Sequence, residues 1–454
     1  MVTTPTGKGR KPTARRRPAG TQPVQAAAKP VTTAGRTASS GRTASSGGSA
    51  SGAAVPPKKR GLRLNERLNA FMVLLEGSDA KATGSSYYMI LGATLALTAI
   101  GLMMVLSASS VEAIAAAAGT AAGAATTFDL FIKQVMFAAA GVALMLILSR
   151  FGPRFYRFIA WPALGIAVLL LVLVLIIGVE VNGNKNWLAF GPVTGQPSEA
   201  AKLAMAIWFA AVLSRKGALI ADWKHALIPV LPGGGLLIGL VLLGHDLGTV
   251  IIMGLIMLAA LFFAGARLKL LGLLSLAAAA AAAVFSIGSG NRTSRISAWL
   301  QLDCSAGLCD QANAGMYALA SGGWFGVGIG QSRQKWNWIP EAHNDFIFAI
   351  IGEEFGLLGT LVVLVLFGIL AVATVRVTMR HAQPFIRIVC GCILVWITGQ
   401  AAVNIAMVTG LLPVIGVPLP FISYGGSSLT FTLAAVGVLL SFARTIPERE
   451  PAAP

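Results

Sequence analysis

The chain alternates long apolar runs with short polar connections from about residue 86 to residue 444. A bilayer-spanning helix needs ~20 mostly apolar residues, because every backbone polar group must find its partner inside the segment once water is absent. The pattern therefore predicts an all-α polytopic membrane protein with about ten transmembrane helices. The predicted spans are residues 86–106, 131–149, 157–179, 199–214, 226–243, 247–265, 269–288, 347–375, 385–411 and 426–444.

The composition also indicates a protein that is embedded in a lipid bilayer. The chain has 454 residues, of which 56% are hydrophobic and 11% are charged, and its mean hydropathy is +0.75. A core of this size could not hide so much apolar surface from water. These values exclude an ordinary soluble domain.

The net charge of +18 is concentrated before the first span, in segments such as GKGRKPTARRRPAG and PPKKRGLRLNERL. Residues 1–80 are predicted to form a disordered basic cytoplasmic tail, because they lack the apolar content that would offset the entropy of folding. The tail can be an arm that binds acidic phospholipid or a partner protein, or a solvated tail that only helps to fix topology. This distribution argues against nucleic acid as a partner. The transmembrane domain is predicted at 81–446, followed by a short cytoplasmic tail, 447–454.

The charges in the connections predict the topology. Lys and Arg accumulate in short cytoplasmic loops, and they occur here in alternate connections: SRFGPRFYR, SRKGALIADWK, ARLK and RVTMRHAQPFIR. The intervening connections are predicted to be external, and the first of them, 107–130, contains no Lys or Arg. Both termini are therefore predicted to be cytoplasmic, with a large fourth external loop at 289–346.

Ionisable residues beside the spans are candidates for a functional site, because burying an unpaired charge there costs several kcal/mol. In KNWLAFGPVTGQPSEAAKLA, Lys185 and Trp187 lie in an external loop, and Glu199 and Lys202 lie three residues apart on one helical face. That pair can be a local structural ion pair or a grip for a charged ligand. Asp246 begins a later helix, where a carboxylate caps free N–H groups, and a role in the site requires it to converge with the pair.

The fourth external loop adds further candidates. Arg292 and Arg295 can clamp phosphate oxygens as planar forks, although anchoring of the loop at the membrane interface explains them as well. Cys304 and Cys309 share an oxidising face, which favours a small disulfide loop over two free thiols. No cluster of His and Cys predicts a metal site.

A second polar group precedes or enters the eighth predicted span, and some of its members are expected to organise an outer cavity. It consists of His343, Asp345, Glu353 and Glu354. Near the C-terminus, LLPVIGVPLPFISYGGSS is broken by Pro and Gly at membrane depth. Such a segment is tolerated only where it is packed in protein or lines a cavity.

Four of these segments together resemble the SEDS family (shape, elongation, division and sporulation), the polytopic peptidoglycan glycosyltransferases that include FtsW and RodA. KNWLAFGPVTGQPSEAAKLA, HDLGTV, IPEAHNDFIFAIIGEEFGLLG and PLPFISYGGSS occur in the family's order and spacing. The resemblance covers nearly all of residues 86–445. EAHNDFIFAIIGEE and ISYGGSS are closer to the division branch, FtsW, than to the elongation branch, RodA, so an elongation role is the less favoured one.

The resemblance implies an enzyme that polymerises lipid II into glycan strands at the outer membrane face during septal wall synthesis. Its substrates would be lipid II and a glycan linked to undecaprenyl pyrophosphate. The expected partners are a class B penicillin-binding protein, other division proteins and membrane lipids. The expected location is the cytoplasmic membrane at the division septum. No cofactor is certain, and a divalent cation is left open.

The resemblance also implies a catalytic residue, Asp303 in RISAWLQLD, whose carboxylate would take the proton of the attacking sugar hydroxyl. The family commonly has Asn-Pro and two more residues before this aspartate, whereas this chain has Gln301 and Leu302, with Cys304 following. Asp310 is therefore kept as the runner-up. The substrate-binding candidates are Lys185, Trp187, Glu199, Lys202, Asp246, Arg292, Arg295, His343, Asp345 and Ser427.

Two other function classes fit the same spans. One is a flippase that transports the lipid-linked precursor, since ten spans with membrane-depth charge also suit transport. The other is a non-catalytic division scaffold. The charges gather at the outer ends of the spans and no internal repeat is visible, which favours surface chemistry over transport.

Overall fold

The computed structural model describes residues 82–119, 128–181, 184–191, 193–287, 290–302, 304, 309–334 and 343–445. The predicted tails, 1–80 and 447–454, and the predicted catalytic residue Asp303 lie outside this description. All described residues belong to one compact unit.

Each of the ten predicted spans falls on a helix, which confirms the prediction of a multi-pass helical membrane protein. Nine helices in the described part of the chain are long and apolar enough to cross a membrane. The tenth, α4, has 17 residues and a length of about 26 Å. The helices are α1 (Ala82–Gly119), α2 (Asp129–Leu148), α3 (Pro153–Ile177), α4 (Pro197–Leu213), α5 (Trp223–Leu243), α6 (Leu247–Ala264), α7 (Leu268–Ile287), α8 (Gly290–Trp299), α9 (Asp310–Gly322), α10 (Ile347–Arg380), α11 (Pro384–Val408) and α12 (Gly426–Ala443).

The helix boundaries follow local signals. Pro197 and Pro384 occupy the first turns of α4 and α11, where the missing N–H of proline costs no hydrogen bond. Asp246 caps the N-terminus of α6. Gly265 ends α6 in the left-handed conformation, with φ 95°, which glycine adopts without a steric penalty.

Two helices differ from the predicted spans. Helix α1 continues to Gly119, so the prediction of a loop from residue 107 was wrong, because the Ala-rich sequence there strongly favours helix. Helix α10 reaches Arg380 and contains a break at Gly356, with φ 68° and ψ −162°. The part after the break, residues 357–380, is about 36 Å long and can cross a bilayer by itself.

The connections predicted to be external contain structure that the apolar pattern did not predict. A small antiparallel sheet in the second of these connections has the order β1 (Val179–Val181), β2 (Asn184–Phe190) and β3 (Val193–Gly195). Its register pairs Glu180 with Lys185 and Ala189 with Thr194. The short helices α8 and α9 lie in the fourth connection predicted to be external.

Helix α4 lies at the centre of the bundle. Nearly all of its residues are buried, and it packs against α3, α6 and α11. Small residues on α4, including Ala201, Ala206 and Ala210, are fully buried and let neighbouring helices approach closely. The first turns of α4 are thereby fixed in position beside the small sheet.

The start of α1 and the end of α12 lie at the same end of the bundle. Near the end of α10, the Arg376 guanidinium lies 3.5 Å from the sulfur of Met89 in α1. His381, just after α10, lies with Nε2 2.9 Å from the carbonyl oxygen of Phe442 in α12. Burial of the His381 ring lowers its pKa, an effect that this hydrogen bond partly opposes.

Candidate active site

A cavity of about 560 Å³ opens at the end of the bundle where α4, α6 and α12 begin. It is surrounded by the small sheet, the first turns of α4 and α6, the broken segment 409–425 and parts of α7 and α8. The structure brings six of the predicted site residues to its wall. They are Trp187, Glu199, Lys202, Asp246, Arg295 and Asp345.

Glu199 and Lys202 form a buried ion pair on the cavity wall. Lys202 Nζ donates a hydrogen bond to Glu199 Oε1 at 3.0 Å and lies 2.9 Å from Oε2. Oε2 accepts no hydrogen bond of good geometry within the described residues. Both side chains are almost fully buried, so each charge depends on the other for compensation.

Helix α11 completes the surroundings of Lys202. Lys202 Nζ donates a second hydrogen bond to Gln400 Oε1 at 3.1 Å. It also lies 4.9 Å from the centre of the Trp396 ring, within cation–π range. Gln400 Oε1 also accepts from Trp396 Nε1 at 3.0 Å, and Gln400 Nε2 donates to the Pro418 carbonyl at 2.9 Å. The network therefore joins α4, α11 and the broken segment.

Asp246 caps helix α6 and also accepts hydrogen bonds from residues of the sheet and of the segment before α4. Its Oδ1 accepts from Thr249 N at 2.9 Å, and its Oδ2 accepts from Thr249 Oγ1 at 2.8 Å. Oδ2 also accepts from Gln196 Nε2 at 2.8 Å and from Asn186 Nδ2 at 3.1 Å. The carboxylate therefore caps α6 and ties it to the sheet and to the residue before α4. Asp246 and the ion pair lie on the wall of the same cavity.

Lys185 points away from the cavity. Its Nζ donates to the carbonyl oxygens of Leu175 at 2.8 Å and Ile176 at 3.2 Å, and so satisfies free acceptors at the end of α3. Its backbone N–H donates to Gly244 O at 3.1 Å. Lys185 thus holds the sheet on the bundle, and its neighbour Trp187 lines the cavity.

The two predicted phosphate-binding arginines lie on α8. Arg295 reaches the cavity and its guanidinium lies 3.4 Å from the Val414 carbonyl of the broken segment. The backbone of Arg292 belongs to the same helix, but its side chain lies outside the described part. Arg295 and Lys202 are cationic groups on the wall of one cavity.

Among the remaining predicted residues, Asp345 lies on the cavity wall, whereas His343 and Ser427 do not line the cavity. Asp345 lines the cavity, and its carbonyl accepts from Asn404 Nδ2 at 2.8 Å. His343 is buried, its ring packs edge-on against Tyr424 at 5.4 Å between centres, and its carbonyl accepts from Tyr424 N at 2.9 Å. Ser427 Oγ accepts from Gln196 N at 3.0 Å and so positions the approach to α4.

Glu353 and Glu354, near the start of α10, accept hydrogen bonds from two different parts of the chain, the segment after α9 and helix α1. The Glu353 carboxylate accepts from the backbone N–H groups of Arg333 at 2.9 Å and Gln334 at 3.4 Å, and from the Ser332 hydroxyl. Both carboxylate oxygens of Glu354 accept from Ser107 Oγ on α1, at 2.7 and 2.9 Å. Neither residue lines the cavity, so their contribution is to hold its surroundings in place.

Several neutral residues of the site were missed by the sequence reasoning. Gln400 and Asn404 lie four residues apart on one face of α11, and an amide inside a span is itself a signal, because an unsatisfied polar group is costly there. Asn404 Nδ2 joins Asp345 O to Val417 O, at 2.8 and 2.7 Å. Tyr424 lines the cavity, where its hydroxyl can donate or accept a hydrogen bond. Asn186 and Gln196 gave no signal in the sequence.

The proposed catalytic region is described only in part. Asp310 is exposed in the first turn of α9 and does not line the cavity. A disulfide joins Cys304 and Cys309, which closes the connection between α8 and α9. Within the described part of the chain, no three His, Cys, Asp or Glu residues come together in a way that could hold a metal ion.

The fold and this cavity define a multi-pass membrane protein with an ion-paired polar site at one end of its helical bundle. The chain belongs to the FtsW/RodA/SpoVE family, described as cell cycle proteins, whose pattern it matches over residues 87–447. The family resemblance of the sequence motifs is therefore confirmed.

Relatives and solved structures agree with this assignment. The chain is 39% identical over 370 residues to the probable peptidoglycan glycosyltransferase FtsW of Mycobacterium tuberculosis, which covers 80% of this chain and 69% of the relative. A chain from a study of how a peptidoglycan synthase complex coordinates polymerization and crosslinking superposes with a TM-score of 0.63 and 27% identity, covering 78% of this chain and 96% of that one. The crystal structure of the rod shape determining protein RodA of Thermus thermophilus gives 0.58 and 26%, covering 79% and 97%.

Proposed function

We propose that the protein is a peptidoglycan glycosyltransferase that polymerises lipid II at the outer face of the cytoplasmic membrane during septal wall synthesis. The observation that carries this proposal is the cavity in which Lys202, Arg295 and three carboxylates, those of Glu199, Asp246 and Asp345, converge. Family membership supports the same activity, since the M. tuberculosis relative is named for it.

The reaction requires two kinds of group. The 4-hydroxyl of the incoming sugar must lose its proton as it forms a bond to the anomeric carbon of the growing chain, and a carboxylate within hydrogen-bond reach can accept that proton. The bond from the anomeric carbon to the pyrophosphate oxygen breaks, and cations must stabilise the negative charge that develops there. We assign the first role to Asp303, with Asp310 as the alternative, and the second to Arg295 together with Lys202.

Orientation, location and partner are part of the same proposal. The basic loops favour an external cavity and cytoplasmic termini. The 39% identity to a relative named FtsW, together with the motifs EAHNDFIFAIIGEE and ISYGGSS, favours division over elongation, and hence the septum. The similarity to a chain of a peptidoglycan synthase complex supports a class B penicillin-binding protein as the partner that crosslinks the new strands.

The test of the catalytic base is polymerisation of lipid II by the purified full-length protein, alone and with its class B partner. Asp303→Asn should abolish polymer formation, whereas Asp310→Asn should retain it, with both variants monodisperse on size-exclusion chromatography. The reverse pattern would move the base to Asp310. If wild-type protein binds lipid II but makes no polymer even with its partner, the glycosyltransferase proposal is wrong, and the flippase and scaffold hypotheses remain. A lipid-translocation assay in vesicles would then distinguish these two.

The cation role has its own test. Arg295 is only partly buried, so Arg295→Gln should fold normally while kcat falls ~10²-fold, as is typical when a group that stabilises developing charge is removed. Arg295→Lys keeps the charge but loses the planar fork, so its kcat should lie between those of the wild type and Arg295→Gln. Equal activity of all three proteins would exclude Arg295 from stabilising the leaving group.

A further inference from the structure

The loop after α9 presents two neighbouring aromatic side chains outward. Trp324 is 69% exposed and Phe325 is 81% exposed. They belong to the uncharged segment GGWFGVGIG, residues 322–330, which we call the aromatic loop. Two adjacent large apolar side chains at this exposure call for an explanation, because single exposed apolar residues are common but contiguous patches mark an interaction surface.

The backbone of the aromatic loop is held firmly against α10. Val327 N donates to Glu353 O at 2.9 Å, and Gly328 N donates to Glu354 O at 3.1 Å. In the opposite direction, Leu357 N donates to Gly323 O at 2.9 Å. The break at Gly356 leaves backbone C=O and N–H groups of α10 without partners in their own helix, and these bonds satisfy them. The backbone that carries the two aromatic side chains is therefore held in one position against α10.

A close approach of two backbones makes this arrangement specific. At Gly326, where φ is 81°, a Cβ atom would collide with the Glu354 carbonyl, and at Gly356 it would collide with the backbone of Trp324 and Gly326. Both positions also have the positive φ that favours glycine. The buried Glu353 carboxylate then fixes the residues that follow the loop, through the N–H of Arg333.

The position of the aromatic loop identifies what covers it. The N–H of Leu358 lies 3.3 Å from the Trp324 carbonyl, which places the aromatic pair beside the first turn of the membrane-spanning part of α10. In that turn Leu357 and Leu358 are exposed, and Leu361 follows them on the same helix. The aromatic surface is therefore continuous with the apolar surface that α10 presents to lipid.

The charge pattern points the same way. Between Asp310 and Arg333 the chain contains no Asp, Glu, Lys, Arg or His, although this stretch lies in an external loop. Insertion into a membrane interface would therefore bury no charged side chain. Tryptophan is enriched at this depth, because its ring is amphipathic.

From these observations we propose that the aromatic loop inserts into the adjacent phospholipid leaflet, with Trp324 and Phe325 at the boundary between headgroups and acyl chains. The loop then anchors the fourth external loop at a fixed depth. This inference goes beyond the proposed activity and does not depend on it.

The test is quenching of Trp324 fluorescence by lipids brominated in the acyl chain. Full-length wild type and Trp324→Phe, which keeps an aromatic ring, are reconstituted in phosphatidylglycerol vesicles with and without bromination. Subtracting the spectrum of Trp324→Phe from that of the wild type isolates the emission of Trp324. Most of this emission should be lost when the vesicles are brominated. In vesicles without bromine, acrylamide dissolved in the water should quench it little. Trp161→Phe is the matched control, since Trp161 is 57% exposed on the membrane-spanning helix α3 and its emission should also be quenched.

A second variant checks the neighbouring side chain. In the Trp324→Phe background, Phe325→Trp moves the reporter by one residue and should give the same lipid quenching. Emission from either position that bromination leaves unchanged while acrylamide quenches it would place the loop in water and overturn the proposal. Protection that occurs only after a protein partner is added would also overturn it, in favour of a protein-docking surface.

Discussion

Two helices that line the same cavity, α4 and α7, are both apolar and rich in alanine, yet they are packed in opposite ways. Almost every residue of α4 is buried, whereas only 6% of the most apolar stretch of α7 is buried. Helix α4 contributes Glu199 and Lys202 to the cavity, and α7 contributes Ala282, Ala283 and Ser286. One wall is thus a fixed, charged centre and the other is a lightly packed, neutral surface.

This difference shows that apolar character alone does not place a helix in a membrane bundle. In a bilayer, lipid chains are as apolar as leucine, so burial is decided by close packing and by hydrogen bonds between helices. Helix α4 has both, through its buried alanines and through the bonds of Lys202 to Glu199 and Gln400. The exposed alanines of α7 have no such partners to hold it at the centre.

The strongest test of the α4 wall is Lys202→Met. This change leaves the Glu199 carboxylate buried without its counter-charge, so we expect a loss of about 3–5 kcal/mol, visible as a large drop in thermal stability by fluorescence-detected size-exclusion chromatography. The control is the double variant Glu199→Gln/Lys202→Met, which removes both charges and should recover most of the stability. A single variant as stable as the wild type would mean that the pair contributes little to the fixed wall.

A smaller effect is expected at the helix that adjoins this wall. Asp246→Ala removes the cap of α6 and the acceptor for Gln196 and Asn186, so the loss should be about 2–3 kcal/mol. Asp222→Ala is the matched control, because Asp222 also caps a helix but is exposed and accepts one bond, at 3.3 Å from Lys224 N. Its loss should be below about 1 kcal/mol by thermal melting. Equal losses would mean that Asp246 acts as a cap alone.

The direct comparison of α4 and α7 uses one substitution in both. Ala206 in α4 is fully buried and Ala279 in α7 is exposed. Ala206→Leu should destabilise by about 1–3 kcal/mol through overpacking, while Ala279→Leu should change stability by less than about 0.5 kcal/mol. Thermal melting of both variants in the same detergent measures the difference. If Ala279→Leu proved the more damaging change, α7 would be packed against something that the comparison of the two walls leaves out.

Much of the fold followed from sequence because its causes are local. Ten apolar runs of sufficient length predicted ten helices, since an unpaired backbone is excluded from lipid. The spacing of Glu199 and Lys202 predicted their pairing, because residues three apart in a helix share a face. The small sheet and the extension of α1 were missed, because the interpretation relied on apolar runs and these segments lie at or beyond the ends of such runs.

Lys185 and Lys202 were both predicted to bind substrate, although Lys185 caps α3 and Lys202 lines the cavity. Both lysines lie in the same family motif, KNWLAFGPVTGQPSEAAKLA. The fate of each side chain depends on which carbonyl or carboxylate the folded bundle brings near it. Local spacing predicted Glu199 as a partner of Lys202, but it did not predict Gln400 beside Lys202 or the Leu175 carbonyl beside Lys185.

By itself, then, the sequence determined the membrane class, the helices and the family, because these depend on apolar run length and on motifs within single segments. Only the tertiary structure decided which polar residues meet. Gln400 reaches Lys202 across 198 positions of the chain, and Gln134 on α2 reaches the Ser423 carbonyl across 289. Such contacts depend on how every helix packs against its neighbours, whereas the spacing of residues along one helix is set by the backbone of that helix alone.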